Sequence, residues 1–142
     1  MRVYKTRAHK YPGTDFREVY DNAFGLFSGI KKKTKRRAYV RSAYFNKSKI
    51  FLDLFWQHLF AKDNWRDRVR RMKYFGCAVE LMKSSRFEPT SKENPNKSSE
   101  ILHRFYGITA DNELFCVQIK EEKKKGQKFL ISVFPTDGPI DK

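Results

Sequence analysis

The sequence predicts an α+β fold, with N-terminal helices packed on a small antiparallel β-sheet: a C-terminal three-stranded meander plus one or two further strands. Three observations predict it. Apolar and polar residues alternate with period two through residues 113–120 and again through 128–134, as in half-buried strands. Upstream of residue 84, apolar residues recur at three and four positions, the spacing of amphipathic helices. Turn chemistry punctuates the strands: Ala110-Asp111-Asn112 closes one hairpin, and residues 121–127, with Gly126 free to take positive φ, close the next. At 142 residues the chain is long enough to bury a core as one domain. It divides into a lead (1–13), a helix-strand-helix part (14–63), a helix followed by the meander (64–135) and a tail (136–142).

Residues 1–13 read as an extended or loosely ordered basic lead closed by Pro12-Gly13. Thr14 or Asp15 caps a helix over about 16–27, with Phe16, Val19, Tyr20, Ala23, Phe24 and Phe27 on one stripe and Gly25 and Gly29 weakening its end. The run KKKTKRR at 31–37 loses the helical period and reads as a mobile loop near phosphates or as a solvated one. Residues 38–45 read as a strand rich in aromatic residues, with Arg41 on the face of Tyr39 and Ala43. Asn46 or Ser48 then caps a helix to about Ala61. It is apolar almost all round, and His58 reads as a hydrogen-bonded core histidine.

Asp63 or Asn64 opens a second helix over about 65–84, with Trp65, Val69, Met72, Phe75, Val79 and Met82 on its packed face. Its first two turns carry Arg66, Arg68, Arg70, Arg71 and Lys73, more cations than Asp63 and Asp67 can pair. One or two of these arginines are therefore expected to face a ligand, against the competing reading of a solvated face. Residues 86–88 read as a short strand, and 89–99, with two prolines, as an irregular loop. In the meander, Phe115, Val117 and Ile119 share one face with Phe105, and Phe129, Ile131 and Val133 share a face on the last strand. The opposite face then carries Arg104, Tyr106, Gln118, Lys120 and Ser132. The tail, with Gly138-Pro139, reads as irregular.

Charge is the strongest compositional signal. Lys and Arg number 31 against 16 Asp and Glu, a formal net charge of +15. Residues 1–49 hold 14 basic and 3 acidic residues, so most of the excess sits there. Such a localised excess predicts affinity for a polyanion, RNA or DNA first of all. A solvated basic surface without a partner is the plainer reading. No run is long and apolar enough for a membrane span, and residues 1–10 lack the apolar stretch of a secretory signal. Cys77 and Cys116 lie far apart without CxxC spacing and read as reduced, packed thiols, which points to the cytoplasm.

Several chemistries find no anchor. The sequence has no GxGxxG, Walker A loop, HExxH or serine elbow, and its carboxylates are too scattered for a multi-metal nuclease site. The expectation is no cofactor and no metal. RNA can be cut without a metal, by attack of its own 2′-hydroxyl on the adjacent phosphate. The protein then supplies proton transfer and cations, for which His, Lys, Tyr and Arg suffice.

The stretches RDRVRRMKYFGCAVELMKSSRFEP, HRFYGIT, ELFCVQIK and KFLISVFP, in that order over residues 64–135, resemble the BECR superfamily of small nucleases. That group joins barnase, EndoU, colicin-type tRNase and RelE-like toxins, with phage-associated versions. The resemblance implies a metal-independent endoribonuclease, of the kind found as a toxin. It implies His103 as base or acid, Arg104 and Tyr106 on the scissile phosphate, Ser132 positioning it, and Lys120 with Arg70 or Arg71 stabilising developing charge. No second histidine stands near the C-terminus, where several members have one, so Lys or Tyr must take one of the two roles. Residues 1–63 are not covered. Lys31, Lys32, Lys33, Lys35, Arg36, Arg37, Arg41, Arg70, Arg71 and Gln118 are the candidates for nucleic-acid contact. The expected partners are RNA, ribosome- or tRNA-associated, and an acidic antitoxin or immunity protein, with no membrane. The rival reading is a non-catalytic basic RNA- or DNA-binding protein, whose Tyr4, Tyr11, Tyr39 and Tyr44 would suit base stacking. A weaker third reading is a ribosome-associated accessory protein.

Overall fold

The structure, a computed structural model, describes residues 2–61 and 64–137. Its elements are β1 (Tyr4–Lys5), α1 (Phe16–Thr34), β2 (Tyr39–Arg41), β3 (Lys49–Phe51), α2 (Asp53–Phe60), α3 (Trp65–Met72), α4 (Phe75–Ser84), β4 (Thr90–Asn94), β5 (Lys97–Ile108), β6 (Leu114–Glu122) and β7 (Lys128–Pro135). The strands form one sheet in the order β1-β5-β6-β7-β3-β2, with β4 also paired to β5. The meander is present as β5-β6-β7 and is antiparallel. Asn112 and Gly126 take positive φ in its two turns.

The sheet as a whole is mixed, which corrects the expectation of an antiparallel one. β1 lies parallel to β5 and β3 parallel to β7. Parallel neighbours require long crossovers, and here each pair is separated in sequence by helices. Among the described residues no helix is long and apolar enough to cross a membrane.

Several boundaries move for identifiable reasons. Helix α1 starts as expected, with the Asp15 carboxylate accepting from Glu18 N–H at 3.3 Å, but it continues to Thr34. A Cβ at Gly25 or Gly29 would meet nothing within 4 Å, so both glycines lie on open surface. Each weakens the helix by about 1 kcal/mol. Burial of Val19, Ala23 and Phe27 offsets that, and Lys31, Lys32 and Lys33 sit in the last turn, where the helix dipole favours cations. Half of the expected basic loop is therefore helix.

The strand expected over 38–45 shortens to β2, because Asn46 and Lys47 take positive φ in a turn back to β3. Ile50 is fully buried in β3, so the following helix starts only at Asp53. That shift resets the helical phase. Phe55, Trp56 and Leu59 are buried while His58 is exposed, correcting the expectation of a core histidine.

The helix expected over 65–84 breaks at Lys73-Tyr74 into α3 and α4. The lead docks at that break. Tyr11 N–H donates to the Lys73 carbonyl at 2.8 Å, and a Cβ on Gly76 would come within 2.9 Å of the Tyr11 hydroxyl. One turn further along α4, Glu80 accepts from the backbone N–H groups of Arg7 and Ala8 and from the Tyr4 hydroxyl. The lead is thus tied down rather than loose. Asn64 caps α3, accepting from Arg66 and Asp67 N–H. Asp63 lies outside the described residues, as does the tail from 138 onward.

Residues 86–88 are irregular, whereas 90–94 and 97–99, expected as loop, form β4 and the start of β5. β4 is polar on both faces, so no alternation announces it.

All four helices share one apolar core with one face of the sheet. Phe55, Phe75, Leu81 and Met72 meet Phe105, Phe115, Val117, Ile119, Leu130 and Val133 there. On β7 the register slips: Ser132 pairs with Gln118 and Leu130 with Ile119, leaving Ile131 as a bulge. The bulge returns Leu130 to the packed face beside Val133 and sends Phe129 to the other side. The expected grouping of Phe129, Ile131 and Val133 is corrected accordingly. Cys116 and Phe129 are buried yet stand outside that core, under the opposite face.

Candidate nucleic-acid interface

That opposite face is built as rows of paired strand positions. One row runs Arg104, Gln118, Ser132 across β5, β6 and β7. On one side of it lie Tyr106, Cys116 and Phe134. On the other, a longer row crosses five strands as Tyr39, Phe51, Phe129, Lys120 and Leu102. Period-two alternation therefore places Arg104, Tyr106, Gln118, Lys120 and Ser132 together, as expected.

Two arginines converge on the middle of this face. Arg71 reaches in from α3, and its Nη1 donates to Ser132 Oγ at 2.6 Å. Its guanidinium lies 5.4 Å from the Phe134 ring centre, and that of Arg104 lies 6.0 Å from the same ring. Asp67 orients Arg71 through a bond from Nε at 2.8 Å and also accepts from Arg70 Nη2 at 2.9 Å. Burial pushes the Asp67 carboxyl up, but the hydrogen bonds and charges of Arg71 and Arg70 hold it below the usual carboxylate range. Helical phase brings Arg71 to the sheet face and turns Arg70 away, beside exposed Trp65.

A second group of cations stands on the longer row. Arg37 lies 4.4 Å from the Phe51 ring centre and 5.4 Å from Phe129, and Nη2 donates to Asp53 at 2.8 Å. Lys120 Nζ lies 5.1 Å from the Phe129 ring centre and 3.4 Å from Glu100 Oε2. These cations cover Phe129, which is 7% exposed. Lys31, Lys32, Lys33, Lys35 and Arg36 are exposed at the end of α1, and Arg41 is exposed on β2.

His103 does not belong to this face. It neighbours Arg104 on a strand, so its side chain points the other way, into the packed side, and is 7% exposed. Its Nε2 lies 2.7 Å from Glu121 Oε1 and its Nδ1 2.6 Å from Ser91 Oγ, with the Phe45 ring 5.1 Å away. A carboxylate only accepts, so Nε2 carries the proton, and a neutral ring then accepts the Ser91 hydroxyl at Nδ1. The imidazole is fully engaged. The grouping of His103 with Arg104, Tyr106, Lys120 and Ser132 is corrected: one residue along a strand reverses the face.

Burial pushes the Cys116 thiol up to about 12, although the Arg104 charge pulls it down, and burial pushes Cys77 up to about 11. Both are free and buried. Among the described residues no three His, Cys, Asp or Glu side chains cluster so as to hold a metal ion. Phe134 and Phe129 belong to the face as well, although neither was among the expected site residues. Their signal was the placement of aromatics beside cations, legible for Phe134 from alternation and hidden for Phe129 by the bulge. Compared with known protein families, curated proteins and solved structures, the chain matches none of them.

Proposed function

We propose that the chain acts on RNA at the open sheet face, as an endoribonuclease that needs no metal. The observation that carries this reading is the convergence of Arg71 and Arg104 over Phe134, with Ser132 held by Arg71. Two guanidinium groups on one spot, against the single Asp67 carboxylate that Arg71 shares with Arg70, suit a phosphodiester better than any neutral ligand. In this reading the 2′-hydroxyl attacks phosphorus, the new O2′–P bond forms as the P–O5′ bond breaks, and a 2′,3′-cyclic phosphate results. Arg71 and Arg104 neutralise the charge that grows on the non-bridging oxygens. Ser132 accepts from Arg71 and keeps its own hydroxyl proton to donate to the phosphate. Tyr106 and Lys120 are the groups on the face able to carry the two protons, from the attacking hydroxyl and to the leaving oxygen. An acidic antitoxin or immunity protein would cover the same cations.

The second reading is a binding module without chemistry, and the burial of His103 on the opposite face favours it. RNA turnover in EDTA separates the two. Cyclic-phosphate ends that disappear in Arg71→Ala and Arg104→Ala, and persist in His103→Ala, are expected for cleavage. Binding that falls in the arginine variants, with no turnover in any protein, leaves the binding module.

A further inference from the structure

A second site lies around the outer edge of the sheet. A pocket of about 740 Å³ opens between the C-terminal ends of α1 and α4, strand β2 and the turn after it. Lys33, Arg41, Lys47, Lys83 and Arg86 line it, and no Asp or Glu does. None of these five has a carboxylate partner among the described residues. Several cations elsewhere do have one: Lys10 pairs with Glu113, Arg37 with Asp53, Arg71 with Asp67, Lys120 with Glu100 and Lys123 with Glu93. Gathering five like charges from three separate stretches of chain around one hollow is unfavourable until an anion enters it.

The pocket is also connected to the open face. Tyr39 lines it and begins the long row that continues through Phe51 and Phe129 to Lys120. Two cations already lie over its ring, Lys49 Nζ at 4.6 Å and Arg41 at 5.5 Å from the ring centre. Arg41 is fixed there by donating from Nη1 to the Lys47 carbonyl at 3.0 Å. An aromatic ring flanked by cations, leading into a cationic hollow, offers a base to stack and phosphates to bind in succession.

We propose that this pocket binds the phosphates of an RNA strand that runs off the open face past Tyr39, two or more nucleotides from the Arg71–Arg104 centre. The assignment rests on the reading of that face as an RNA site and adds a second, separable set of contacts. The strand enters as single-stranded RNA, because a duplex cannot present its bases to Tyr39. Lys83 and Arg86 hold its phosphates from the α4 side and Lys33 from the α1 side.

The test uses a labelled 2′-O-methyl-uridine 12-mer, which cannot be cut because its nucleophilic hydroxyl is blocked. Anisotropy titrations at several salt concentrations compare the wild type, the double variant Lys83→Glu/Arg86→Glu, and a control, Lys124→Glu/Lys125→Glu. All four lysine and arginine positions are exposed, and both double variants change the net charge equally. The pocket variant is expected to bind at least about tenfold more weakly. Its slope of log affinity against log salt should fall by about 1.4, the loss of two single-strand phosphate contacts. The control should barely move. Equal weakening of both variants would overturn the proposal, since net charge alone would explain it. A wild-type protein that binds while the pocket variant matches it would overturn the pocket and leave the open face standing. A wild-type protein that does not bind the probe at all would overturn both.

Discussion

His103 and Arg104 are adjacent in β5 and have opposite fates, and the two faces of the sheet differ in the same way. On the packed side the polar groups around His103 are paired: His103 lies between Ser91 and Glu121, and Lys128 donates to the Gly126 carbonyl near Glu121. On the open side, cations lie over aromatic rings with hydrogen-bonding capacity to spare, as Arg104 does over Phe134. A buried group whose donors and acceptors are all used stabilises a fold and cannot easily hold a substrate. A partly exposed cation over a ring contributes little to stability and remains available. Residue type alone would have favoured His103 as the chemical group; the surroundings favour its neighbour.

The comparison breaks most visibly in stability. Phe115 is fully buried on the packed face, stacked on Tyr74 at 5.8 Å between ring centres. Phe115→Ala should cost about 3–5 kcal/mol, read from urea unfolding midpoints. Phe134→Ala, one row of the open face away, should cost less than half as much while weakening RNA binding. Equal losses of stability would mean that the two faces are not distinct.

A smaller effect sharpens the contrast between the two neighbours. His103→Ala leaves Ser91 and Glu121 without their common partner and should cost about 1–3 kcal/mol. The folded fraction should bind RNA as the wild type does. Arg104→Ala should leave stability within about 0.5 kcal/mol and lower RNA affinity or turnover about tenfold. Reversal of either result would put His103 back among the functional residues and remove Arg104.

How far the sequence speaks follows from the same physics. The meander, its two turns and the open-face set of Arg104, Tyr106, Gln118, Lys120 and Ser132 are legible because one buried face imposes period two. β4 is illegible because Thr90, Ser91, Lys92 and Glu93 are exposed, so no face is marked. The bulge at Ile131 is illegible because Phe129, Leu130 and Ile131 are all apolar, and alternation cannot choose between registers within such a run. The parallel strands β1 and β3 have two and three residues, too few to show a period. The cationic pocket draws Lys33, Arg41, Lys47, Lys83 and Arg86 from distant parts of the chain, a convergence that tertiary structure alone creates. Arg71 was one of five cations in its helix, and only the position of β7 distinguishes it from Arg70.

The finest test concerns a carboxylate at the end of the open face. Glu100 lies beside Lys120 and Lys97 and accepts from Asn94 Nδ2 at 3.1 Å. Burial pushes its carboxyl up, but the Asn94 bond and the Lys120 and Lys97 contacts outweigh that, so the folded value lies below the usual one. A carboxylate with a lowered folded value binds its proton less tightly in the folded than in the unfolded chain. Its contribution is therefore present above the unfolded value, about pH 4.3, and is lost as pH falls through the folded value. The gap in stability between wild type and Glu100→Gln should stay constant from neutral pH down to about pH 5, then narrow with further acidification. A gap that widened in acid would reverse the sign of the Glu100–Lys120 interaction. A gap independent of pH would show that Lys120 is not held by Glu100, and that its charge stands as free for an incoming phosphate as that of Arg104.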